Sequence, residues 1–211
     1  MKNMSQKQRR GVWAIVLIVV LIAIGLSTKV ISGAELTATQ PVKFNSEQFG
    51  AEHFPKVSAA IIETAAPLGD VATALAADQA GAIGKYGVVE GTSFPVFPVT
   101  FTAVAGPADA AGFVPFTVDG VPSSVTVRIQ TGPAIGGTDL RDATGTINFA
   151  DFTNQIEYQD AGVALNNELK TKVLAKVKAA DLNGKTVTVT GAFQLVNPAA
   201  YTITPVAIEV N

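Results

Sequence analysis

The stretch FPVTFTAVAGPADAAGFVPFTVDGVPSSVTVRIQ, residues 97–130, decides the fold that this sequence predicts. Within it, apolar and polar residues alternate over 99–105 and over 125–130, and a second short apolar run covers 113–118. Alternation with a period of two is typical of β-strands, and Asp119-Gly120 is a tight-turn signal between the second and third runs. The stretch is therefore predicted to form a three-stranded meander.

A helix and two more strands are predicted after the meander. The helix is predicted from Asp160 to Ala180, and the strands from Thr186 to Phe193 and from Tyr201 to Val210, separated by Asn197-Pro198. The apolar stripe of the helix comprises Leu165, Leu169, Val173 and Val177. Three strands, a helix and two strands is the element order of an OB-fold, a five-stranded, partly open barrel. We therefore predict an α+β protein with an OB-like barrel over residues 96–211 and a helix between strands 3 and 4. An ordinary α+β sandwich is the alternative.

A helical segment over residues 45–80 is predicted upstream of the barrel. Asn45 or Ser46 is a suitable helix cap, and Pro67 with Gly69 ends the first helix. The apolar side of this helix comprises Phe54, Val57, Ile61 and Ala65. A second, alanine-rich helix is predicted over 70–80, and the two helices are expected to form a hairpin.

The N-terminus contains the strongest membrane signal. No residue from Gly11 to Thr28 is charged, and about 18 helical residues nearly cross a hydrocarbon core. Trp13, near one end of the run, fits the aromatic belt at a membrane surface. The bases before the run, with no acid among them, are Lys2, Lys7, Arg9 and Arg10, whereas Lys29 alone follows closely. The positive-inside rule then predicts a single-pass protein with a cytoplasmic N-terminus and residues 29–211 outside the cell membrane.

A cleaved signal peptide is the alternative for the same segment. Ser32 and Ala34 have the spacing of a processing site. However, the apolar run is slightly longer than the usual apolar core of a signal peptide, and Lys29 lies between the run and the processing site. We therefore favour retention. Residues 1–34 are predicted to be a cytoplasmic tail and membrane anchor, and residues 35–211 an extracytoplasmic domain that begins with a linker.

Charge and composition exclude several function classes. Residues 29–211 contain 11 bases and 17 acids, which gives a formal charge of −6. Because such a domain repels the phosphate backbone, nucleic acid is not an expected partner. The basic cluster Lys170, Lys172, Lys176 and Lys178 is interpreted as the solvated face of the predicted helix. The absence of cysteine excludes disulfides and thiolate sites, and with one histidine we expect neither a metal nor a cofactor.

The segment GPAIGGTD, residues 132–139, resembles a phosphate-binding loop but departs from it where the chemistry matters. Two glycines have the right spacing, yet Thr138 stands where a lysine is needed and Asp139 where a hydroxyl is needed. A carboxylate at that position repels phosphate, so nucleotide binding is rejected. Gly132, Gly136 and Gly137 are instead expected to serve backbone turns.

Residues 138–158 contain the densest polar chemistry in the chain and are the predicted binding surface. Thr138 is expected to cap a short helical turn. Bidentate polar groups and an aromatic face are what a saccharide site needs. The candidate binding residues are Thr138, Asp139, Arg141, Asp142, Phe152, Asn154, Gln155 and Tyr158. The structural alternative is that Arg141 pairs with a neighbouring acid while Asn154 and Gln155 satisfy loop backbone groups.

Catalytic interpretations of these carboxylates are weaker. Asp139 with Asp142, or Asp151 with Glu157, would supply a pair for glycoside hydrolysis, but nothing in the sequence sets their separation. Calcium on Asp139 and Asp142 lacks the regular spacing of an EF-hand. The single histidine, His53, is expected to pack or face solvent rather than act as a base.

Three central segments resemble the signature of domain-of-unknown-function family 2291. They are GPAIGGTDLRDA at 132–143, INFADFTNQIEY at 147–158 and ALN at 164–166, and GAF at 191–193 and Thr204-Pro205 also resemble the family. The resemblance implies a periplasmic lipoprotein with an OB-like domain, often encoded beside sugar-type ABC uptake systems, and with no established activity. Members commonly have a lipobox cysteine, which this chain lacks, so its anchoring would pass from a lipid to the helix of residues 12–28.

Three functions are expected in order of preference. The first is a non-enzymatic, membrane-anchored accessory or binding component near solute uptake, whose partner would be an ABC permease, a solute-binding protein or a saccharide. The second is a cell-envelope glycan hydrolase that uses Asp139, Asp142 or Glu157. The third is a purely structural scaffold in which the central motif braces the barrel against the first helices.

Overall fold

A computed structural model of the chain describes residues 6–27, 44–90 and 94–211, and it divides into two units, Met1–Lys43 and Phe44–Asn211. In the first unit, helix α1 (Gln6–Ser27) includes Arg10–Ser27, which is long and apolar enough to cross a membrane, with a mean hydropathy of 2.4. A signal sequence would meet the same criteria. The flanking charges Lys2 and Lys29, the Ser32/Ala34 processing site, the 34/35 boundary and the linker 35–43 lie outside the described residues.

The second unit is an α+β body. Its helices are α2 (Ser46–Thr64), α3 (Leu68–Ala77), α4 (Gln79–Tyr86), α5 (Asp139–Asp142) and α6 (Gln155–Lys172). Its strands are β1 (Ala66–Pro67), β2 (Val96–Val104), β3 (Phe113–Phe116), β4 (Thr126–Gln130), β5 (Thr186–Gln194) and β6 (Ala200–Val210). From β2 onward, the predicted order of three strands, a helix and two strands is observed, with the short α5 between β4 and α6.

The six strands form one open mixed sheet in the order β1-β2-β5-β6-β4-β3. The pairs β2–β5, β5–β6 and β3–β4 are antiparallel, whereas β4–β6 and β1–β2 are parallel. The parallel β4–β6 pair requires a long crossover, and the segment between them contains α5, α6 and all of β5. Helices α5 and α6 therefore lie in one region beside the sheet.

The expected meander is wrong, and the expected five-stranded, partly open barrel is not confirmed, because the six strands form one open sheet. All nine residues of β2 pair with β5, and β2 meets β3 through a single antiparallel bridge between Ala105 and Phe116. β3 is only four residues long and includes Pro115, which has no N–H to donate to a ladder. The β3–β4 connection runs over residues 117–125, so Gly120, with φ +80°, belongs to a longer loop rather than to a two-residue hairpin turn.

The first predicted helix is confirmed, but the helical hairpin is wrong. Asn45 caps α2 by accepting a hydrogen bond from the Gln48 amide at 3.1 Å. The second predicted helix divides into α3 and α4 because Asp78 is extended, with φ −152°, and its side chain caps α4. Helix α2 packs mainly against α6, whereas α3 packs against β2.

The helix after β4 is displaced from its predicted position. It starts at Gln155 because Asn154 accepts hydrogen bonds from the backbone N–H groups of residues 156 and 157, and it ends at Lys172. The chain continues through two 3₁₀ turns, Leu174–Lys176 and Ala179–Leu182. Of the predicted stripe, Leu165 and Leu169 are buried on the helix, whereas Val173 and Val177 lie beyond its end and are half-buried.

Two apolar clusters cover the two faces of the sheet. The first joins the sheet to α3 and includes the stacked rings of Phe97 and Phe193, 5.4 Å apart. The second lies between the sheet and helices α2, α5 and α6, and its members include Phe54, Leu140 and Leu165. A bulge at Thr190/Gly191 leaves Val206 without a strand partner, and Val206 joins the second cluster. The second cluster positions the predicted binding segment.

The close approach of α2 and α6 predicts opposite effects for two helical glycines. A Cβ at Gly50 would lie 2.9 Å from the carbonyl oxygen of Ala164 on α6, whereas a Cβ at Gly84 would meet nothing within 4 Å. We expect Gly50→Ala to lower the free energy of unfolding by about 1–2 kcal/mol, because the clash outweighs the gain in helix propensity. Gly84→Ala should raise it by about 0.5–1 kcal/mol. Urea unfolding of the full-length protein in detergent, followed by circular dichroism, measures both. Equal stabilisation by the two substitutions would contradict this packing.

Candidate functional site

The predicted short helical turn after the glycine-rich loop is observed as α5, and all four of its residues are buried. Gly137 has φ +87°, which turns the chain into the helix, and Gly132 has φ +96°, so both serve the backbone as expected. Thr138 stands at the cap position but makes no backbone cap. Its Oγ1 instead donates to Asp142 Oδ2 at 2.6 Å.

Arg141 and Asp142 form a buried ion pair. Nε of Arg141 lies 2.7 Å from Asp142 Oδ1 and Nη2 lies 3.1 Å from Oδ2, with side-chain exposures of only 8% and 3%. Nη1 donates to the carbonyl oxygen of Tyr158, and the guanidinium lies 3.6 Å above the Tyr158 ring. Every nitrogen of this guanidinium is therefore hydrogen-bonded, and the ion pair is held by the first turn of α6.

Asp139 points to a different partner. Its Oδ2 accepts a hydrogen bond from Thr204 Oγ1 at 2.5 Å, and that hydroxyl accepts one from Gln130 Nε2 at 2.8 Å. Burial raises the pKa of Asp139 to about 6; the negative charge of Asp142 adds to this rise and the Thr204 hydrogen bond opposes it. This hydrogen-bond chain joins α5 to β6 and β4.

The glycine-rich loop is held by hydrogen bonds at Gly136 and Gly137. Gln130 donates from Nε2 to the Gly136 carbonyl oxygen at 3.1 Å and accepts the Gly136 N–H at 2.9 Å. Asn166 of α6 donates to the carbonyl oxygen of Gly137 at 3.0 Å. The loop is thus fixed to β4 on one side and to α6 on the other.

An aromatic cluster adjoins the ion pair. Phe152 lies 5.4 Å from Tyr158 and 5.7 Å from Phe49, measured between ring centroids. His53 stacks on Phe49 at 4.1 Å, which is the packing role expected of it. Burial raises the pKa of Tyr158. The cluster links α2 to the segment that precedes α6.

The structure brings together part of the predicted binding set. Thr138, Arg141, Asp142 and Tyr158 share one hydrogen-bonded group, with Phe152 beside it, whereas Asp139 belongs to the chain that runs to Thr204. Asn154 caps α6, which matches the structural alternative for that residue, and Gln155 is exposed at the first position of the helix. Whether this set binds a ligand stays a prediction.

Sequence reasoning missed the partners that come from distant strands and helices. They are Gln130, Asn166 and Thr204, and a further group that was missed, Glu90, lies near Asp142 in the segment before β2. Thr204 stood in a segment that resembles the family, and Gln130 ended an alternating strand, but neither pattern indicates its partner. Glu90 Oε2 is buried and has no hydrogen-bond partner among the described residues. Burial raises the pKa of Glu90, and the nearby charge of Asp142 raises it further.

The carboxylates of the second candidate catalytic pair, Asp151 and Glu157, accept hydrogen bonds from backbone N–H groups. Asp151 accepts the Asn148 N–H at 3.0 Å, and Glu157 accepts the Thr153 N–H at 2.9 Å. Within residues 6–27, 44–90 and 94–211, no group of three or more acidic or histidine side chains is arranged to hold a metal ion.

The environment of Asp139 predicts a pH-dependent effect on stability. The pKa of Asp139 is about 6 in the folded protein and 3.8 for a free carboxyl, so the folded state holds the proton more tightly than the unfolded state. The contribution of Asp139 to the free energy of unfolding therefore falls as pH rises from about 4 to about 6. Asp139→Asn should therefore match the wild type near pH 4 and exceed it at pH 7, by up to about 3 kcal/mol. Urea unfolding of both proteins across this range measures the difference. A difference that does not vary with pH would contradict the assignment.

The Arg141–Asp142 pair predicts a large cost for removing one partner. Arg141→Ala leaves the Asp142 carboxylate buried without its cation and should lower the free energy of unfolding by about 3–5 kcal/mol. Lys176→Ala removes an exposed cation and should change stability by less than about 0.5 kcal/mol. Thermal unfolding of the two variants gives the comparison, and similar melting temperatures would show that the ion pair contributes little.

Comparison with known proteins agrees with this architecture. A solved OB-fold protein from Thermotoga maritima is similar to the chain, with a TM-score of 0.63 and 19% sequence identity over 81% of this chain and 100% of that one. At that identity the likeness concerns the fold alone. Among curated proteins, none is significantly similar to the chain. Residues 16–209 match the domain-of-unknown-function family 2291, described as predicted periplasmic lipoproteins, and the chain therefore belongs to that family.

Proposed function

We propose that the protein is a non-catalytic, membrane-anchored accessory component of the cell envelope that works beside a sugar-type ABC uptake system. In this proposal α1 is a retained single-pass anchor, the N-terminus is cytoplasmic and residues 29–211 are extracytoplasmic. Family membership supports an envelope location. The uptake partner, an ABC permease or a solute-binding protein, is inferred from the setting in which the sequence resemblance places the family.

The observation that carries the proposal is that the central motif pairs its charged groups internally. Arg141 and Asp142 neutralise each other, and Asp139 is hydrogen-bonded to Thr204. A general acid or base must reach the proton that it transfers, and these buried carboxylates are engaged within the fold. The pairing therefore favours a rigid binding or bracing element over the glycan hydrolase that uses Asp139, Asp142 or Glu157.

The surface beside this rigid element has features of a protein contact. Phe149 is 49% exposed and packs edge-on to Tyr158 at 5.5 Å, and Ile156 is 69% exposed on the first turn of α6. Large apolar side chains on a preorganised support are typical anchors of an interface. We infer that a partner contacts the surface formed by Phe149, Gln155 and Ile156. The purely structural alternative assigns this surface no partner.

In-cell crosslinking tests the proposal. The full-length protein is crosslinked at native expression level, captured from detergent-solubilised membranes and analysed by mass spectrometry. We expect an ABC permease or a solute-binding protein to be enriched, and Ile156→Asp to reduce that enrichment at least about tenfold, because it places a charge in an apolar contact.

Val104→Asp is the matched control, because Val104 is 56% exposed on β2, away from α6. It should retain the partner, and both variants should keep the wild-type melting temperature. Absence of both partner classes from the wild-type capture would overturn the uptake role. Equal loss in the two variants would overturn the assigned surface. Glycan turnover that Asp142→Asn abolishes in a folded protein would favour the hydrolase.

A further inference from the structure

A polar pocket of about 360 Å³ lies outside the hydrogen-bonded group of Arg141 and Asp142. It is bounded by β4, β6, the connection between β5 and β6, and the glycine-rich loop. The residues with polar side chains that line it and matter here are Arg128, Gln130, Asp139, Gln194, Asn197 and Thr202. Its size is near the lower end of the range for small-molecule sites, which suits a ligand of one sugar ring.

Among the described residues that line this pocket, Arg128 is the only cation, and it is held in place by protein contacts. Its Nε donates to Thr202 Oγ1 at 3.0 Å, and its guanidinium lies 4.1 Å from the centre of the Phe113 ring. Among the described residues, no hydrogen bond or ion pair engages Nη1 or Nη2. A half-buried guanidinium fixed at Nε and on one face leaves its two outer nitrogens for a bidentate acceptor.

The rest of the pocket offers groups that suit hydroxyls. Asn197 uses Oδ1 to accept the Ala199 N–H at 2.9 Å, which leaves its Nδ2 as a donor, and the Gln194 amide is half-buried. Asp139 is a buried acceptor. It forms no ion pair with Arg128, so the pocket has separate cationic and anionic positions.

The walls of the pocket are preorganised. Two hydrogen bonds between Gln130 and Gly136 hold the glycine-rich loop against β4, and Thr204 holds Asp139. A site fixed in this way loses little conformational entropy when a ligand binds. In a domain with a formal charge of −6, a fixed guanidinium also supplies the local attraction that an anion requires.

We propose that this pocket binds a small hydroxylated carboxylate of the hexuronate type. The carboxylate pairs with the outer nitrogens of Arg128, and the ring hydroxyls bond to Asn197 and Gln194. If the ligand were reversed, its carboxylate would lie beside the Asp139 carboxylate, which is unfavourable because the two groups have the same charge. The inference rests on the proposed function only in treating the protein as a binding component, and it does not depend on the ABC partner.

Isothermal titration calorimetry of the full-length protein in detergent tests the inference, with sodium D-glucuronate and D-glucose as probes. We expect glucuronate to bind at least about tenfold more tightly than glucose, because the bidentate charged contact is lost in the neutral sugar. Arg128→Gln should remove this preference. Arg128→Lys should also weaken glucuronate binding at least about tenfold, because lysine keeps the charge but cannot form the fork.

Lys178→Gln is the charge-matched control, since Lys178 is an exposed cation that does not line the pocket, and it should bind like the wild type. Unchanged melting temperatures establish that the variants are folded. Failure of the wild type to bind glucuronate, equal affinity for the two sugars, or equal binding by Arg128→Gln and Lys178→Gln would each overturn the inference. Partner capture by Arg128→Gln separates the two proposals, because lost sugar binding with retained capture removes this inference alone.

Discussion

The hydrogen bond from Thr204 to Asp139 is the contact on which the arrangement of the helical layer depends. Thr204 lies on β6, between the parallel partner β4 and the antiparallel partner β5, and Asp139 is the first residue of α5. Gln130 extends the contact to β4, so one buried chain of polar groups joins two strands and a helix. Because each buried polar atom in such a chain needs its partner, the chain specifies one position for α5 on the sheet.

That fixed position accounts for the unusual pairing of two neighbouring charged residues. Arg141 and Asp142 are adjacent in sequence, their buried side chains are hydrogen-bonded to each other, and the Arg141 guanidinium lies over the Tyr158 ring. Burying a charge without a partner is costly. Here the two charges neutralise each other at the end of α5, and Thr138 donates a further hydrogen bond to Asp142 Oδ2. The polar groups of the motif therefore stabilise a junction between sheet and helices. The surfaces that we propose for partners, the apolar rim at Ile156 and the pocket at Arg128, lie outside this junction.

Local patterns in the sequence predicted elements better than they predicted neighbours. The alternation over 99–105 located β2, and the spacing of Phe54, Val57 and Ile61 located the buried side of α2. Alternation shows which side chains face a core, but the strand that pairs with a given strand depends on contacts far away in sequence. The sequence pattern therefore did not reveal that β2 pairs with β5 rather than with β3. The same limit applies to the site: Thr138, Asp139, Arg141 and Asp142 lie within five residues, whereas Thr204 is 65 residues from the carboxylate that it contacts.

The absence of cysteine bears on the membrane anchor that we propose for this family member. The family match begins at residue 16, so it includes the part of α1 from residue 16 to residue 27. The sequence contains no cysteine that could carry a lipid. The 18 residues of Arg10–Ser27 span about 27 Å as a helix, close to the hydrocarbon thickness of a bilayer, and insertion of such a transmembrane helix is effectively irreversible. A retained helix would thus replace the acyl chains without altering the compartment in which residues 44–211 fold. The folded unit would gain a direct connection to the cytoplasmic side, which a lipid on the outer leaflet does not provide.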